Sequence, residues 1–177
     1  MSIMVGTFLL GILILVGYMS VMKSRVRVPI DVRLFHGPTE IPEKTLARID
    51  AILVLGGGVP QSLEEPRAYV QRRCDDAASV VQNQKMMQLT KRKKGTDAAS
   101  LPILCLSAGT AHLPQLMAAD GLPIWESTAS AAYLQKRYGL VDNVYVETTS
   151  FDTIGNAFYA RTTHTDIAGW KLSLNTI

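Results

Sequence analysis

The sequence predicts an α/β domain built on a parallel sheet and preceded by one transmembrane helix. Three observations lead to this prediction. An uncharged apolar run fills residues 3–22, short apolar runs that end in glycine or hydroxyl residues recur after residue 50, and helix-like segments separate those runs. Strands that alternate with helices are typical of parallel sheets, because each crossover uses a helix to return the chain.

The composition is that of a folded chain with room for one domain. The 177 residues are 47% hydrophobic and 19% charged, and the formal net charge is +3. This balance excludes a disordered or fibrous chain. The basic residues are too dispersed for the footprint of a nucleic-acid-binding protein, so no nucleic-acid partner is predicted.

The sequence does not predict that disulfide bonds or a zinc site stabilise this chain. Its two cysteines, Cys74 and Cys105, offer neither a disulfide framework nor the paired spacing of a zinc site, and only three histidines accompany them. We therefore predict no metal site.

Residues 3–22 are predicted to be a membrane anchor, which makes the lipid bilayer the first predicted partner. As a helix, about twenty residues span roughly 30 Å, the thickness of the hydrocarbon core. A cleaved signal peptide is less favoured, because Lys23, Arg25 and Arg27 follow the run rather than precede it. A buried core helix is also less favoured, since a helix apolar on every face is hard to place in a small domain. The same charges favour a single-pass protein with the following domain in the cytoplasm.

Residues 23–49 are predicted to be a linker between the anchor and the domain. Pro29, Pro38 and Pro42 interrupt any helical pattern, and the polar stretch HGPTEIPEK has no apolar period. We expect this segment to lift the domain off the membrane.

The first strand and helix of the domain follow the linker. The apolar run at 50–58 ends in three glycines, which predicts a buried parallel strand that stops at a turn. Residues 64–93 carry apolar side chains at helical spacing, and the basic run 91–94 then marks the helix terminus, where cations complement the macrodipole. A nuclear signal or a phosphate-binding patch is the less favoured interpretation of that run.

The alternation continues to the end of the sequence. The predicted elements, in order, are a strand at 102–107, a loop at 112–123, a helix at 125–138, a strand at 144–147, a helix at 152–163 and a fourth strand at 170–177.

The candidate site is expected where the strands end. In open parallel sheets, ligands bind outside the carboxyl ends of the strands. Three loops fall there, at 56–58, at 107–112 and at 148–156. Each has a purely structural alternative, which is a tight turn for the first two and capping of the last helix by Ser150 for the third. Their equivalent places in the alternating pattern favour a ligand site.

Several sequence blocks carry a family resemblance. The blocks DAILVLGGGV, RRCDDA, LSAGT and ETTSFDTIGNA occur in that order, with Glu126 opening a helix between the last two. Together they resemble the domain of unknown function 218 family, the YdcF/SanA/ElyC-like proteins. The stretches GLPIWESTASAAYL and TTSFDTIGNAFYARTTH fit the eukaryote-like subgroup best. The resemblance covers residues 50–177.

The resemblance implies a Rossmann-like three-layer fold, often attached to a membrane, with roles linked to the cell envelope in bacteria. It does not define a reaction, so whether the chain is an enzyme stays open. The ligand-binding residues that it implies are Gly56, Gly57, Gly58, Arg73, Ser107, Gly109, Thr110, Ser150, Thr153 and Asn156, with Glu126 as a catalytic candidate.

The chemistry of these side chains points to an anionic or nucleotide-like small molecule, with S-adenosylmethionine or a nucleotide as the candidate cofactors. Arg73 can pair with phosphate or carboxylate, although an ordinary surface ion pair with Asp76 or Glu126 is an equal alternative. Glu126 can act as a general base or accept a sugar hydroxyl. His112 is the second catalytic candidate, but the sequence gives it no orienting partner.

Two departures from the family pattern bear on function. Ala108 stands where the family has glycine, and the sequence ends at Ile177 before an FHxxR-like element. We therefore expect a domain that is incomplete at its carboxyl end. Three functions remain open: binding of a nucleotide-like or phosphorylated small molecule, a non-catalytic membrane-tethered interaction or envelope-maintenance role with an unknown protein partner, and an inactive truncated product.

Overall fold

A computed structural model of the chain describes residues 35–91 and 100–168. The predicted anchor at 3–22, the first part of the predicted linker, most of the basic run at 91–94 and the predicted strand at 170–177 lie outside these residues. Across the two described ranges, none of the helices combines the length and the apolar character that crossing a membrane requires.

Strands and helices alternate along the described chain. The helical elements are a 3-10 turn at Pro38–Glu40, α1 at Glu43–Leu46, α2 at Ala68–Lys91, α3 at Glu126–Tyr138, α4 at Thr153–Tyr159, a π-helical segment at Ala160–Thr165 and α5 at Asp166–Ala168. The strands are β1 at Ile52–Leu55, β2 at Ile103–Leu106, β3 at Leu116–Met117, β4 at Pro123–Ile124 and β5 at Val144–Val146.

The main sheet is parallel, and β2 lies between β1 and β5. Leu55 is opposite Leu106, and Cys105 is opposite Val146. The predicted α/β class with a parallel sheet flanked by helices is thus confirmed. Because the strands run in one direction, the loops that follow β1, β2 and β5 leave the sheet at the same edge.

Helices cover the sheet on two faces. On one face, α2 and α3 bury Val70, Cys74 and Leu134 against Ile52 and Ile103. On the other face, Leu104 and Leu106 of β2 pack against Ala160 of the π-helical segment. The ends of the strands therefore lie between the helices on one face of the sheet and those on the other.

The amino-terminal part of the described chain packs on the core. Ile41 and Leu46, which the sequence places in a linker, are buried in the main cluster. Gln84 Nε2 in α2 donates to the carbonyls of Leu46 at 3.1 Å and Ile49 at 3.0 Å. These residues therefore belong to the packed structure and do not form an extended tether.

Two helices start or end differently from the predicted bounds. The helix predicted at 64–93 begins only at Ala68, because Ser62 and Glu65 form an antiparallel bridge just before it. The helix predicted at 152–163 widens into a π-helix at Ala160. There the hydroxyls of Thr162 and Thr163 donate to the carbonyls four residues earlier and compete with the helical amides for them.

Asp75 joins α2 to the end of α3. Its Oδ1 accepts hydrogen bonds from the hydroxyls of Tyr133 at 2.9 Å and Tyr138 at 2.7 Å, and Arg137 Nε lies 3.7 Å away. Burial, together with the bond to Asp75, raises the pKa of Tyr133 to about 12.

This cluster leads to a pH prediction for Tyr133. Its pKa is higher in the folded state than the ordinary value of 10.0, so its contribution to stability is fully present below pH 10 and is lost as the pH rises toward 12. Titration of phenolate absorbance should show a group ionising near pH 12 in the native protein that is lost in Y133F, while Tyr138, whose pKa is also raised by burial and by its bond to Asp75, stays in both. The same group should ionise near its ordinary pKa in denaturant. An unchanged native titration in Y133F would contradict the assignment.

Candidate functional site

Glu126 lies where α3 meets the loop after β2. Its side chain is buried, with 4% of the residue exposed. Oε2 accepts a hydrogen bond from Ser107 Oγ at 2.9 Å, and Oε1 accepts one from Thr110 Oγ1 at 2.9 Å. Two hydroxyl donors thus compensate for part of the cost of burying this carboxylate.

Ser107 holds an unusual backbone conformation beside Glu126. Its φ angle is 96°, in the left-handed region that non-glycine residues rarely occupy. Such strain costs about 1–3 kcal/mol and persists only where the surroundings hold it. Here the Ser107 carbonyl accepts the amide of Ser127 at 2.9 Å, and the hydroxyl contacts both Glu126 and the Gly109 carbonyl.

Gly56 brings the loop after β1 against the loop after β2. A Cβ at Gly56 would lie 2.6 Å from the Leu106 carbonyl oxygen, 2.7 Å from Ser107 Cβ and 2.8 Å from Glu126 Oε2. Only glycine permits this approach. The predicted candidates Gly56, Ser107, Thr110 and Glu126 therefore form one cluster. Gly109 adjoins it, because its carbonyl oxygen lies 3.2 Å from Ser107 Oγ, whose single proton goes to the closer Glu126 Oε2.

The side chains of Tyr69 and Arg73 lie on the glycine turn. Tyr69 donates its hydroxyl to the Gly57 carbonyl at 2.7 Å, and Arg73 Nη1 donates to the carbonyls of Leu55 at 2.9 Å and Gly56 at 3.1 Å. The Arg73 guanidinium also lies 5.5 Å from the centre of the Tyr69 ring.

These contacts correct one interpretation of Arg73. Within the described part of the chain it makes no ion pair with Asp76 or Glu126, the two partners weighed from the sequence. Its polar contacts there are the carbonyl bonds of Nη1 alone.

Glu147 organises the third loop, and the sequence did not single it out. It is 2% exposed. Its Oε1 accepts the amides of Thr149 at 2.5 Å and Ser150 at 3.0 Å, and its Oε2 accepts the Ser150 hydroxyl. The Ser150 hydroxyl also contacts Asn156 Oδ1, and because it has a single proton it donates to one of the two oxygens at a time.

The capping role proposed for Ser150 belongs to Asp152. Asp152 is the N-cap of α4, and its Oδ1 accepts the Gly155 amide at 2.6 Å. Ser150 is instead buried against Glu147, and its carbonyl accepts the Ala108 amide at 2.7 Å. That bond joins the second and third loops.

Two predicted residues stay apart from these clusters. Thr153 and His112 are both exposed, and neither side chain makes a hydrogen bond or an ion pair within residues 35–91 and 100–168. His112 is thus given no orienting partner there, and nothing links it to Glu126.

No family model, curated protein or solved structure matches the chain. The likeness to the domain of unknown function 218 family therefore rests on the sequence blocks given above and stays a prediction.

Several donors and acceptors lie together at this edge. Among the residues that the structure describes, no group of three or more His, Cys, Asp and Glu side chains is placed to hold a metal ion. The groups that could hold a cofactor are the hydroxyls of Ser107 and Thr110, the backbone of the glycine turn, the Glu126 carboxylate and the Arg73 guanidinium.

Sequence reasoning missed Glu147, Tyr69 and Arg67. A carboxylate that directly follows a strand and precedes Thr-Thr-Ser is a signal that could have found Glu147, since such a side chain can accept amides two and three residues later. Tyr69 and Arg67 carry no such local signal, because their contacts are with the glycine turn nine to twelve positions earlier.

Proposed function

We propose that this chain is a membrane-anchored domain that binds a nucleotide-like or phosphorylated small molecule at the carboxyl edge of its sheet. The proposal includes the anchor at 3–22 and a Rossmann-like arrangement of the layers, as expected from the sequence. One observation carries it: Arg73 donates to the Gly56 carbonyl at 3.1 Å, and the buried Glu126 carboxylate lies so close to the same residue that a Cβ at Gly56 would be 2.8 Å from Oε2.

The two charged groups suit different parts of one ligand. Each oxygen of Glu126 receives one hydroxyl bond, which leaves a second lone pair for a further donor such as a sugar hydroxyl. In dinucleotide-binding sheets an acidic side chain accepts the ribose hydroxyls in this way, and the anionic part lies at a glycine turn. A guanidinium beside a glycine turn suits that anionic part.

Binding is the core of the proposal, and reaction is a separate question. Glu126 is the group at this edge that would take a proton from a bound hydroxyl or water. If the bound molecule reacts, that chemistry is of the hydrolase or transferase kind.

The test is thermal unfolding of the full chain in detergent, with nucleotides, sugar phosphates or S-adenosylmethionine added in turn. A ligand at about 100 times its dissociation constant stabilises the folded state by about 2.7 kcal/mol, which raises the melting temperature by several degrees. We expect one class to produce this shift.

Glu126→Gln is expected to weaken that binding about tenfold to a hundredfold, because bonds to a charged acceptor are worth about 1.5–3 kcal/mol. The matched control is Glu65→Gln, an exposed carboxylate outside the cluster. A melting transition that no ligand moves would contradict the proposal and favour the non-catalytic interaction role. The absence of any cooperative transition would instead favour the incomplete product.

A further inference from the structure

Two arginines flank the glycine turn that follows β1. A Cβ at Gly57 would lie 3.6 Å from Arg73 Nη1, and a Cβ at Gly58 would lie 3.6 Å from Arg67 Cγ and 3.9 Å from Arg67 Nε. Both side chains are exposed. Because Gly57 and Gly58 are adjacent, the two guanidiniums lie on one short stretch of backbone.

No carboxylate in the described ranges is close enough to either arginine to form an ion pair. Neither Arg67 nor Arg73 makes an ion pair there, and the first turn of α2 contains no acidic residue. The two carboxylates just before this helix, Glu64 and Glu65, interact with Lys136. Glu64 pairs with Lys136, and Glu65 also raises the pKa of that lysine.

Donors remain for a ligand at the same place. Within the described residues, Arg73 uses Nη1 for the carbonyls of Leu55 and Gly56, while its Nε and Nη2 donate to no protein acceptor. The side chain of Arg67 makes no hydrogen bond there. The positive end of the α2 macrodipole, which begins at Ala68, adds to the potential at the turn.

We propose that Arg67, Arg73 and the glycine turn form a subsite for a phosphoryl group. A phosphoryl group offers several oxygens and up to two negative charges, which matches two guanidinium forks better than a single carboxylate does. The subsite rests on the proposed function in that it takes the anionic part of the same ligand, and it adds Arg67 as a residue that selects phosphorylated molecules.

Binding of inorganic pyrophosphate tests the subsite by itself. The full chain in detergent is titrated calorimetrically at fixed ionic strength. We expect measurable binding that weakens about tenfold to a hundredfold in Arg67→Gln and in Arg73→Gln, since each loses charge-assisted bonds. Arg72→Gln removes an exposed arginine of the same helix that has no contact with the glycine turn, and it should change the dissociation constant less than about twofold.

Three outcomes would overturn the subsite: no pyrophosphate binding, equal weakening in all three variants, or no weakening in Arg67→Gln. Equal weakening would mean that the overall charge of the helix attracts the anion. Arg73→Gln could fail to fold, because the Leu55 and Gly56 carbonyls would lose their donor. Arg67→Gln then decides alone, since the Arg67 side chain makes no hydrogen bond to the backbone of the described residues.

Failure of the subsite can be told from failure of the proposed function. Glu126→Gln should not weaken pyrophosphate binding, because it removes a negative charge beside Gly56 that repels the anion. Nucleotide binding that requires Glu126 but neither arginine would overturn the subsite and keep the proposed function. Pyrophosphate binding that requires both arginines, with no nucleotide or sugar phosphate binding more tightly, would keep the subsite and overturn the proposed function.

Discussion

Replacing Glu147 with alanine is expected to lower the free energy of unfolding by about 4 kcal/mol. The carboxylate is buried and accepts three hydrogen bonds, from the amides of Thr149 and Ser150 and from the Ser150 hydroxyl. The Ser150 amide is buried and the Thr149 amide is partly buried, and each such donor left without a partner costs about 1–3 kcal/mol. Denaturant unfolding of the full chain, with the slope checked for constancy, measures the loss.

Glu147→Gln is the matched control for this prediction. The glutamine oxygen can still accept both amides, and its NH₂ group can donate to the Ser150 hydroxyl. We expect a loss of less than half that of the alanine variant. Equal losses in the two variants would mean that the negative charge, rather than the set of bonds, holds the loop.

Replacing Gly56 with alanine is the second large effect, a loss of about 3 kcal/mol. The new methyl group would meet the Leu106 carbonyl oxygen at 2.6 Å and Ser107 Cβ at 2.7 Å. Both belong to the strand end and the strained residue that follows it, so neither can move without disturbing the sheet. Overpacking of this kind costs about 1–3 kcal/mol, and backbone contacts lie at the upper end.

Gly57→Ala separates crowding from a general effect of adding a methyl group to the turn. Its Cβ would lie 3.0 Å from the ring of Tyr69, an exposed side chain that can give way by a few tenths of an ångström and keep its bond to the Gly57 carbonyl. We expect its loss in thermal or denaturant unfolding to stay below about 1 kcal/mol. A loss as large as that of Gly56→Ala would contradict the argument from close approach.

The strands and the long helices could be predicted because their signals are local. The run Ile52–Leu55 is apolar over consecutive residues, and α2 repeats apolar side chains at helical spacing, so each element is indicated by its own sequence. The order of the strands in the sheet, by contrast, has no local signal. It depends on which elements pack on which face, and that information is spread over the whole domain.

The candidate site was only partly predictable for the same reason. Glu126 stood out because it opens a helix after a strand-end loop. Arg73 reaches carbonyls 17 and 18 positions away, and no local pattern specifies which ones. Ser150 and Asp152 are equally good caps by type, and in the structure Ser150 is bonded to the buried Glu147 while Asp152 caps the helix.

Helix α2 is fixed to the rest of the chain at two distant points. Arg73 holds the end of β1, and Gln84 holds the carbonyls of Leu46 and Ile49 beside α1. Eleven residues of helix separate the two donors, a distance of about 16 Å. A helix changes its length very little, so a ligand that displaces the glycine turn and draws α2 along its axis also displaces α1. Movement of the strand-end loops along that axis would in this way reach the amino-terminal side of the domain through α2.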